Sequence, residues 1–113
     1  MNLENWLYLY KAVVTNVVDG DTCDVIADEG FNNSTKKRIR FLRINTPERG
    51  KPGYAEAKAW FEKNYLGKAI YIKTVKKDSF GRWLAELYDP VDQFSINNKI
   101  LELRLGVPYV KDK

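Results

Sequence analysis

Three short stretches concentrate the side chains that could do chemistry. "VVDGDT" (17–22) sets Asp19 and Asp21 on either side of a glycine. "INTPE" (44–48) offers the carboxamide of Asn45, the backbone carbonyl of Thr46 and the carboxylate of Glu48. Arg40 stands just before it in "RFLR", and Arg82 follows "SFG" further along the chain. Carboxylate, carboxamide and carbonyl oxygens suit a hard cation such as calcium. A guanidinium is always charged and donates two parallel hydrogen bonds to a phosphate. Phosphodiester hydrolysis builds negative charge on the phosphoryl oxygens, and a divalent ion with two arginines would stabilise it. Each piece also has a plainer reading. Asp-Gly suits a hairpin turn for backbone reasons alone, "INTPE" reads as a strand end stopped by proline with a solvated Glu48, and a single arginine reads as a surface residue.

Composition narrows the choices. The chain has 113 residues, enough for one compact domain spanning 1–113 and too few for two. Hydrophobic residues make up 44%, so a core can form. There is no histidine. A Ser-His-Asp triad, a Cys-His pair, a His-ligated zinc and a histidine general base are therefore all excluded. Hydrolysis would have to run on carboxylates, arginines, backbone groups and a bound ion. The net charge of +4 is a mild bias toward anionic partners such as nucleic acid. The N-terminus has no basic segment ahead of an apolar run, and the single cysteine, Cys23, has no internal partner and reads as a small core residue. No signal peptide and a cytoplasmic location are expected.

The elements that must position these residues follow from periodicity. "YKAVVTNVVD" (10–19) and "CDVIADE" (23–29) read as strands joined by the Asp-Gly turn. "GFNNSTKK" (30–37) reads as a loop, and "RIRFLRI" (38–44) as the third strand. "PERGKPG" (47–53) must be irregular. "YAEAKAWFEKNYLG" (54–67) is the clearest helix, with Ala57, Trp60, Phe61 and Tyr65 on one face and Gly67 to stop it. "KAIYIKTVK" (68–76) and "WLAELYD" (83–89) read as strands four and five, and "SINNKILELRLG" (95–106) as a second helix ended by its glycine. The tail "VPYVKDK" is expected to be partly ordered. Turns between the first three strands are too short for parallel crossovers. The order predicts a mainly β, α+β fold. It is a five-stranded, partly closed antiparallel OB-fold barrel with one helix between strands three and four and another after strand five. Strand parity adds a constraint: a straight strand would put Arg40 and Asn45 on opposite faces, so a bend, a bulge or a strand end is predicted between them.

With these pieces assembled, the chain resembles the staphylococcal nuclease family. The resemblance lies in "VVDGDT" (17–22), "RFLRINTPE" (40–48) and "DSFGRWLAELY" (78–88), in that order, and covers roughly residues 10–109. It implies a calcium-dependent nuclease on a five-stranded OB barrel that cuts DNA and RNA to leave a 5′-hydroxyl and a 3′-phosphate. It implies Asp21 and the Thr46 carbonyl as ligands of one Ca²⁺, Asn45 at the position of a second ligand, and Asp19 acting from behind them. Glu48 matches the general base, Arg40 and Arg82 the phosphate-binding arginines, and Phe80 and Tyr109 are expected against the substrate. Single-stranded DNA or RNA is the implied substrate, and a monomer is expected.

Two departures stand out. Asn45 replaces an aspartate, so one negative charge is lost and calcium binding without substrate should be weaker by about 1–3 kcal/mol. The chain also ends soon after "GVPYV", so the family's last helix is not expected, and a short form without a signal is more like phage or bacterial cytosolic members than the secreted one. The competing reading is a non-catalytic OB-type nucleic-acid-binding module, which predicts salt-dependent binding and exposed aromatics.

Overall fold

The computed structural model describes residues 2–109. Valine-rich alternation makes β1 (Leu9–Asp19) a long strand. It buries Ala12, Val14 and Val17 and turns the intervening side chains outward. A tight turn at Gly20 and Asp21 leads into β2 (Thr22–Gly30), which pairs antiparallel with β1 and, on its other edge, with β3 (Asn33–Phe41). After the helix α1 (Tyr54–Tyr65), β5 (Ala69–Lys77) and β6 (Trp83–Tyr88) complete a closed barrel of order β1-β2-β3-β6-β5. This is the expected five-stranded plan. The two-residue β4 (Ile44–Asn45) that follows β3 pairs outside the barrel with β7 (Val107–Pro108).

The core is the barrel interior. Cys23, Val25, Ile39, Phe41, Ile70, Ile72, Ala85 and Leu87 meet there, and Phe61 and Tyr65 of α1 plug one end. Phe41 and Phe61 lie with ring centroids 4.9 Å apart. The helical face expected at Ala57, Phe61 and Tyr65 is buried, with Trp60 half-buried beside it. Burial pushes the Cys23 thiol far up, in keeping with a packing role.

Three details differ from the sequence reading. Residues 33–37 extend β3, because Phe31 and Asn32, at φ 55° and 62°, close a two-residue hairpin in place of a loop. The barrel is closed, and one of its pairs is parallel: β3 runs alongside β6, with Ile39, Arg40 and Phe41 opposite Trp83, Leu84 and Ala85. The second helix, α2 (Ile96–Glu102), is shorter than 95–106. Arg104 at φ 59° ends it, with Leu105 N–H donating to Ile100 O and Arg104 N–H to Leu101 O, a Schellman closure carried by an arginine. Gly106, read as the stop signal, serves a different end. A Cβ there would lie 3.1 Å from the Asn45 carbonyl oxygen, so its small size lets β7 approach β4.

The predicted break after Arg40 is present. β3 ends at Phe41, Leu42 and Arg43 turn, and Arg43 adopts φ 71° before β4 begins. Two features hold this turn. The Arg43 guanidinium grips the Glu86 carboxylate and reaches Asn98 Oδ1 at 2.9 Å. Asn97, fully buried on α2, donates from Nδ2 to Leu42 O at 2.8 Å and to Ala85 O at 3.2 Å, and accepts from Leu87 N–H at 3.0 Å.

Two stability predictions follow from these anchors. Asn97→Ala would strand buried backbone groups on β6 and at the Leu42 turn, costing about 2–4 kcal/mol in chemical denaturation. A loss under about 1 kcal/mol would show that the turn holds without it. Arg104→Gly should raise stability by about 0.5–1 kcal/mol by removing the left-handed strain at an exposed position. An unchanged or lower midpoint would mean the Arg104 side chain contributes contacts that offset its backbone cost.

Candidate active site

The site forms where the β1–β2 turn meets the turn after β3. Asp21 is buried there. Its Oδ2 accepts the Thr46 N–H at 2.9 Å and its Oδ1 accepts the Thr22 hydroxyl at 3.1 Å. Phe41 N–H donates to the Asp21 carbonyl at 2.8 Å, so backbone and side chain of one residue tie the hairpin to both sides of the Leu42–Arg43 turn. Gly20 makes the approach possible. A Cβ on it would stand 2.7 Å from the Ala57 Cβ and 3.0 Å from the Thr46 hydroxyl. That Thr46 hydroxyl is itself buried with no hydrogen-bond partner among the described residues.

Arg40 is only 8% exposed, unusual for an arginine. Its Nη1 donates to Phe41 O and Ile44 O, both at 2.9 Å, and lies 3.5 Å from Asp21 Oδ2. Its Nη2 donates to Asn45 Oδ1 at 3.1 Å. The carbonyls therefore fix the plane of the guanidinium. The bend brings Asn45 back to the Arg40 side chain, which parity alone would have forbidden. β7 adds the last wall: Tyr109 N–H donates to Arg43 O at 2.8 Å, and its ring lies 5.8 Å from the Arg40 guanidinium carbon. Asp19, at the end of β1, accepts the Tyr54 hydroxyl at 2.9 Å.

Arg82 forms a second cluster. It leads into β6, and the β3–β6 register places it on the same outer face as Arg40, displaced by about 7 Å along the strand direction. Asp78 holds it, accepting from Arg82 Nε at 2.8 Å and from the Arg82 and Phe80 N–H groups at 2.9 Å each. Burial raises the Asp78 carboxyl, but these donors and the guanidinium outweigh it and keep the group below its ordinary range. Phe80 stands at the tip of this turn, 81% exposed, with the Arg82 guanidinium 5.2 Å from its ring centre.

Glu48 is exposed two residues beyond Thr46, in the irregular segment, and its side chain has no protein partner among the described residues. Thus Asp21, Arg40, Asn45, Thr46 and Tyr109 converge, Arg82 and Phe80 belong to the turn that leads into the neighbouring strand β6, and Glu48 is exposed two residues beyond Thr46. Sequence reasoning missed three contributors: Asp78, Tyr54 and Asn97. For Asp78 a signal existed, its i,i+4 spacing to Arg82 inside the motif; for Tyr54 and Asn97 only the folded chain brings the partners together.

The oxygens of Asp21, Asn45 and Thr46 are of the kind that binds a hard cation, and Asp21 is the one carboxylate within the contact set. No three His, Cys, Asp or Glu side chains converge among the described residues. The donor set therefore fits such an ion in kind while supplying little charge.

Comparison with known proteins bears on the family. Two curated relatives, each named "Uncharacterized endonuclease", come from Escherichia coli O157:H7 and Escherichia coli. Each is 29% identical over 101 residues, covering 88% of this chain and 60% of the relative's own length. The family model described as staphylococcal nuclease homologue matches residues 38–110, a span that holds Arg40, Asn45, Thr46, Glu48 and Arg82. With this match over most of the chain and the closed five-stranded barrel, the chain belongs to the staphylococcal nuclease homologue family.

Proposed function

We propose that the chain is a calcium-dependent nuclease that hydrolyses phosphodiester bonds in DNA or RNA. The observation that carries this reading is the buried Arg40 guanidinium, pinned by two carbonyls beside Asp21, Asn45 and Thr46. Both Nη1 hydrogens and one on Nη2 are spent on holding the group in place, and the Nε–H and the second Nη2 hydrogen remain to meet a phosphate oxygen. Arg82, fixed by Asp78, offers a second guanidinium on the same face.

In this reading a scissile phosphate lies between the two arginines. Glu48 takes a proton from a water whose oxygen attacks phosphorus. A new P–O bond forms, the P–O5′ bond breaks, and the departing 5′ oxygen takes up a proton, leaving a 5′-hydroxyl and a 3′-phosphate. Arg40 and Arg82 stabilise the charge that grows on the phosphoryl oxygens. Asp21, Asn45 and the Thr46 carbonyl would hold one Ca²⁺, with Asp19 and its Tyr54 partner steadying the hairpin behind them. The ion, when bound, supplies positive charge against the phosphoryl oxygens. Its weak protein charge makes substrate phosphate a contributor to its affinity. Exposure suits Glu48 for a proton acceptor that must meet water.

The decisive experiment is cleavage of single-stranded DNA and RNA with calcium, with EDTA, and with Glu48→Gln. Calcium-dependent cleavage is expected, reduced about 100-fold or more by Glu48→Gln and by a similar factor by Arg82→Ala. Cleavage that survives chelation or the Glu48 substitution would sink the mechanism. Salt-sensitive binding without cleavage would transfer the function to a binding module.

Restoring a carboxylate at position 45 should tighten calcium. Asn45→Asp is expected to lower the calcium Kd about 10-fold or more in titration calorimetry, as a close charge is restored. An unchanged Kd would remove Asn45 from the ligand set.

Asp78 gives a pH signature. Its folded carboxyl titrates below the ordinary 3.8, so its ionised form stabilises the fold. That contribution is complete above the unfolded value and is lost as the pH falls through the lower folded value. Asp78→Asn should therefore be less stable than the parent at pH 7, and the gap should close below about pH 4. A constant gap down to pH 2 would mean the carboxylate charge is not what Arg82 depends on.

A further inference from the structure

The barrel has two ends, and only one is plugged by α1. The other opens into a cavity of 310 Å³ on the far side of β6 from the arginines. Ile39 and Ile72 form its floor, and the rings of Tyr10 and Trp83 form its walls. A void of this size is at the small end of ligand pockets and matches a single flat ring system better than a folded peptide. Its polar fittings are few. Thr35 and Thr74 offer hydroxyls, Lys37 an ammonium and Glu29 a carboxylate.

Charge decides what kind of ring belongs there. Besides Lys37, the Lys77 ammonium lies 5.6 Å from the Trp83 ring centre, and exposed Lys36 and Lys76 flank them on the same strands. Glu29 is the one acid that lines the cavity. The nearby Asp78 is already engaged by Arg82. A ring attached to a negatively charged group is favoured over a neutral apolar one. A second copy of the chain is disfavoured, because mouth-to-mouth contact would oppose these lysines to each other.

Position connects this cavity to the arginine face. Arg82 and Trp83 are consecutive, and alternation sends their side chains to opposite faces of the barrel wall. Arg82 faces the outer surface, and Trp83 faces the cavity. Between the two lies the β5–β6 turn, capped by exposed Phe80. A strand whose phosphate is held at Arg82 has only this turn to cross before a neighbouring base reaches Trp83.

We infer that the open barrel mouth is a nucleobase subsite for single-stranded nucleic acid, stacking one base between Tyr10 and Trp83 while Lys37 and Lys77 hold its phosphate. This rests on the reading that the chain handles a nucleic-acid strand, and it adds where an uncleaved nucleotide goes. Stacking on aromatic rings is tolerant of base identity, so the subsite would add length dependence without sequence preference.

The test is binding in EDTA, where no cleavage is expected. Thymidine oligonucleotides from dinucleotide to octanucleotide are titrated into the labelled protein, with amide and indole resonances followed by NMR. The longer strands should shift Thr35, Lys37, Thr74 and the Trp83 indole, and affinity should step up by about 10-fold once the strand reaches the mouth. Trp83→Leu, which removes the stacking ring, and Thr35→Trp, which fills the cavity from its rim, should each abolish the step. An abasic oligonucleotide of the same length should lack it. Unmoved mouth resonances in the parent protein, or a step that persists in Thr35→Trp or with the abasic strand, would overturn the subsite. If Trp83→Leu fails to fold, the parent spectra and Thr35→Trp decide the matter. Cleavage assays run separately keep the two readings apart. Cutting without mouth shifts removes the subsite alone, and mouth binding without cutting removes the nuclease reading alone.

Discussion

The carboxylate of Asp21 is the junction on which the rest depends. It lies on a hairpin between β1 and β2, yet it accepts the N–H of Thr46 and sits 3.5 Å from the Arg40 guanidinium. Burying an acid and a base together is costly unless each retains its hydrogen bonds. Here the desolvation is offset locally: Thr22 and Thr46 donate to the acid, and the carbonyls of Phe41 and Ile44 accept from the base. Those carbonyls are free to point at Arg40 because the chain leaves the β ladder at Leu42. The bend after β3 thus creates acceptors for the arginine, and the arginine in turn satisfies a bend that would otherwise bury bare carbonyl groups. Fold and site use the same atoms.

Much of this was legible in the sequence, for reasons that differ by element. The strands and α1 are readable because apolar periodicity is local, as in the Ala57, Phe61 and Tyr65 face. The bend was readable from parity: Arg40 and Asn45 could share a site only if the strand broke between them. The hairpin at Phe31 and Asn32 was not, since its two left-handed residues lack the glycine that usually marks such a turn. Nor was the true end of α2, which is enforced by an arginine in a glycine's conformation, while Gly106 answers to the distant Asn45 carbonyl. Closure of the barrel and its parallel β3–β6 pair depend on contacts far apart in sequence, which periodicity does not encode.

The candidate site shows the same division. Residue types within a motif announce themselves, so Asp21, Arg40, Thr46 and Arg82 were identifiable. What holds them did not. Asp78 reads as one more charged turn residue until its oxygens are seen to meet both the Arg82 side chain and two backbone N–H groups. Asn97 reads as a polar residue on a short helix, yet it is buried and bridges α2 to the Leu42 turn. Supporting residues act through geometry, and geometry becomes visible only when the barrel is closed.

The parallel pairing of β3 with β6 has a consequence for how the protein is made. Residues 39–41 find their partners at 83–85, so more than a third of the chain must be synthesised between the two strands. Until β6 has left the ribosome, β3 has an unpaired edge, Leu42 N–H lacks the Ala85 carbonyl, and Arg82 has no fixed place beside Arg40. A fragment that stops short of β6 holds the partners for the Asp21–Thr46 and Arg40–Asn45 contacts but not those for Leu42 N–H or Arg82. The full set of contacts at the site is therefore available only late in synthesis, after β6, α2 and β7 have followed β3.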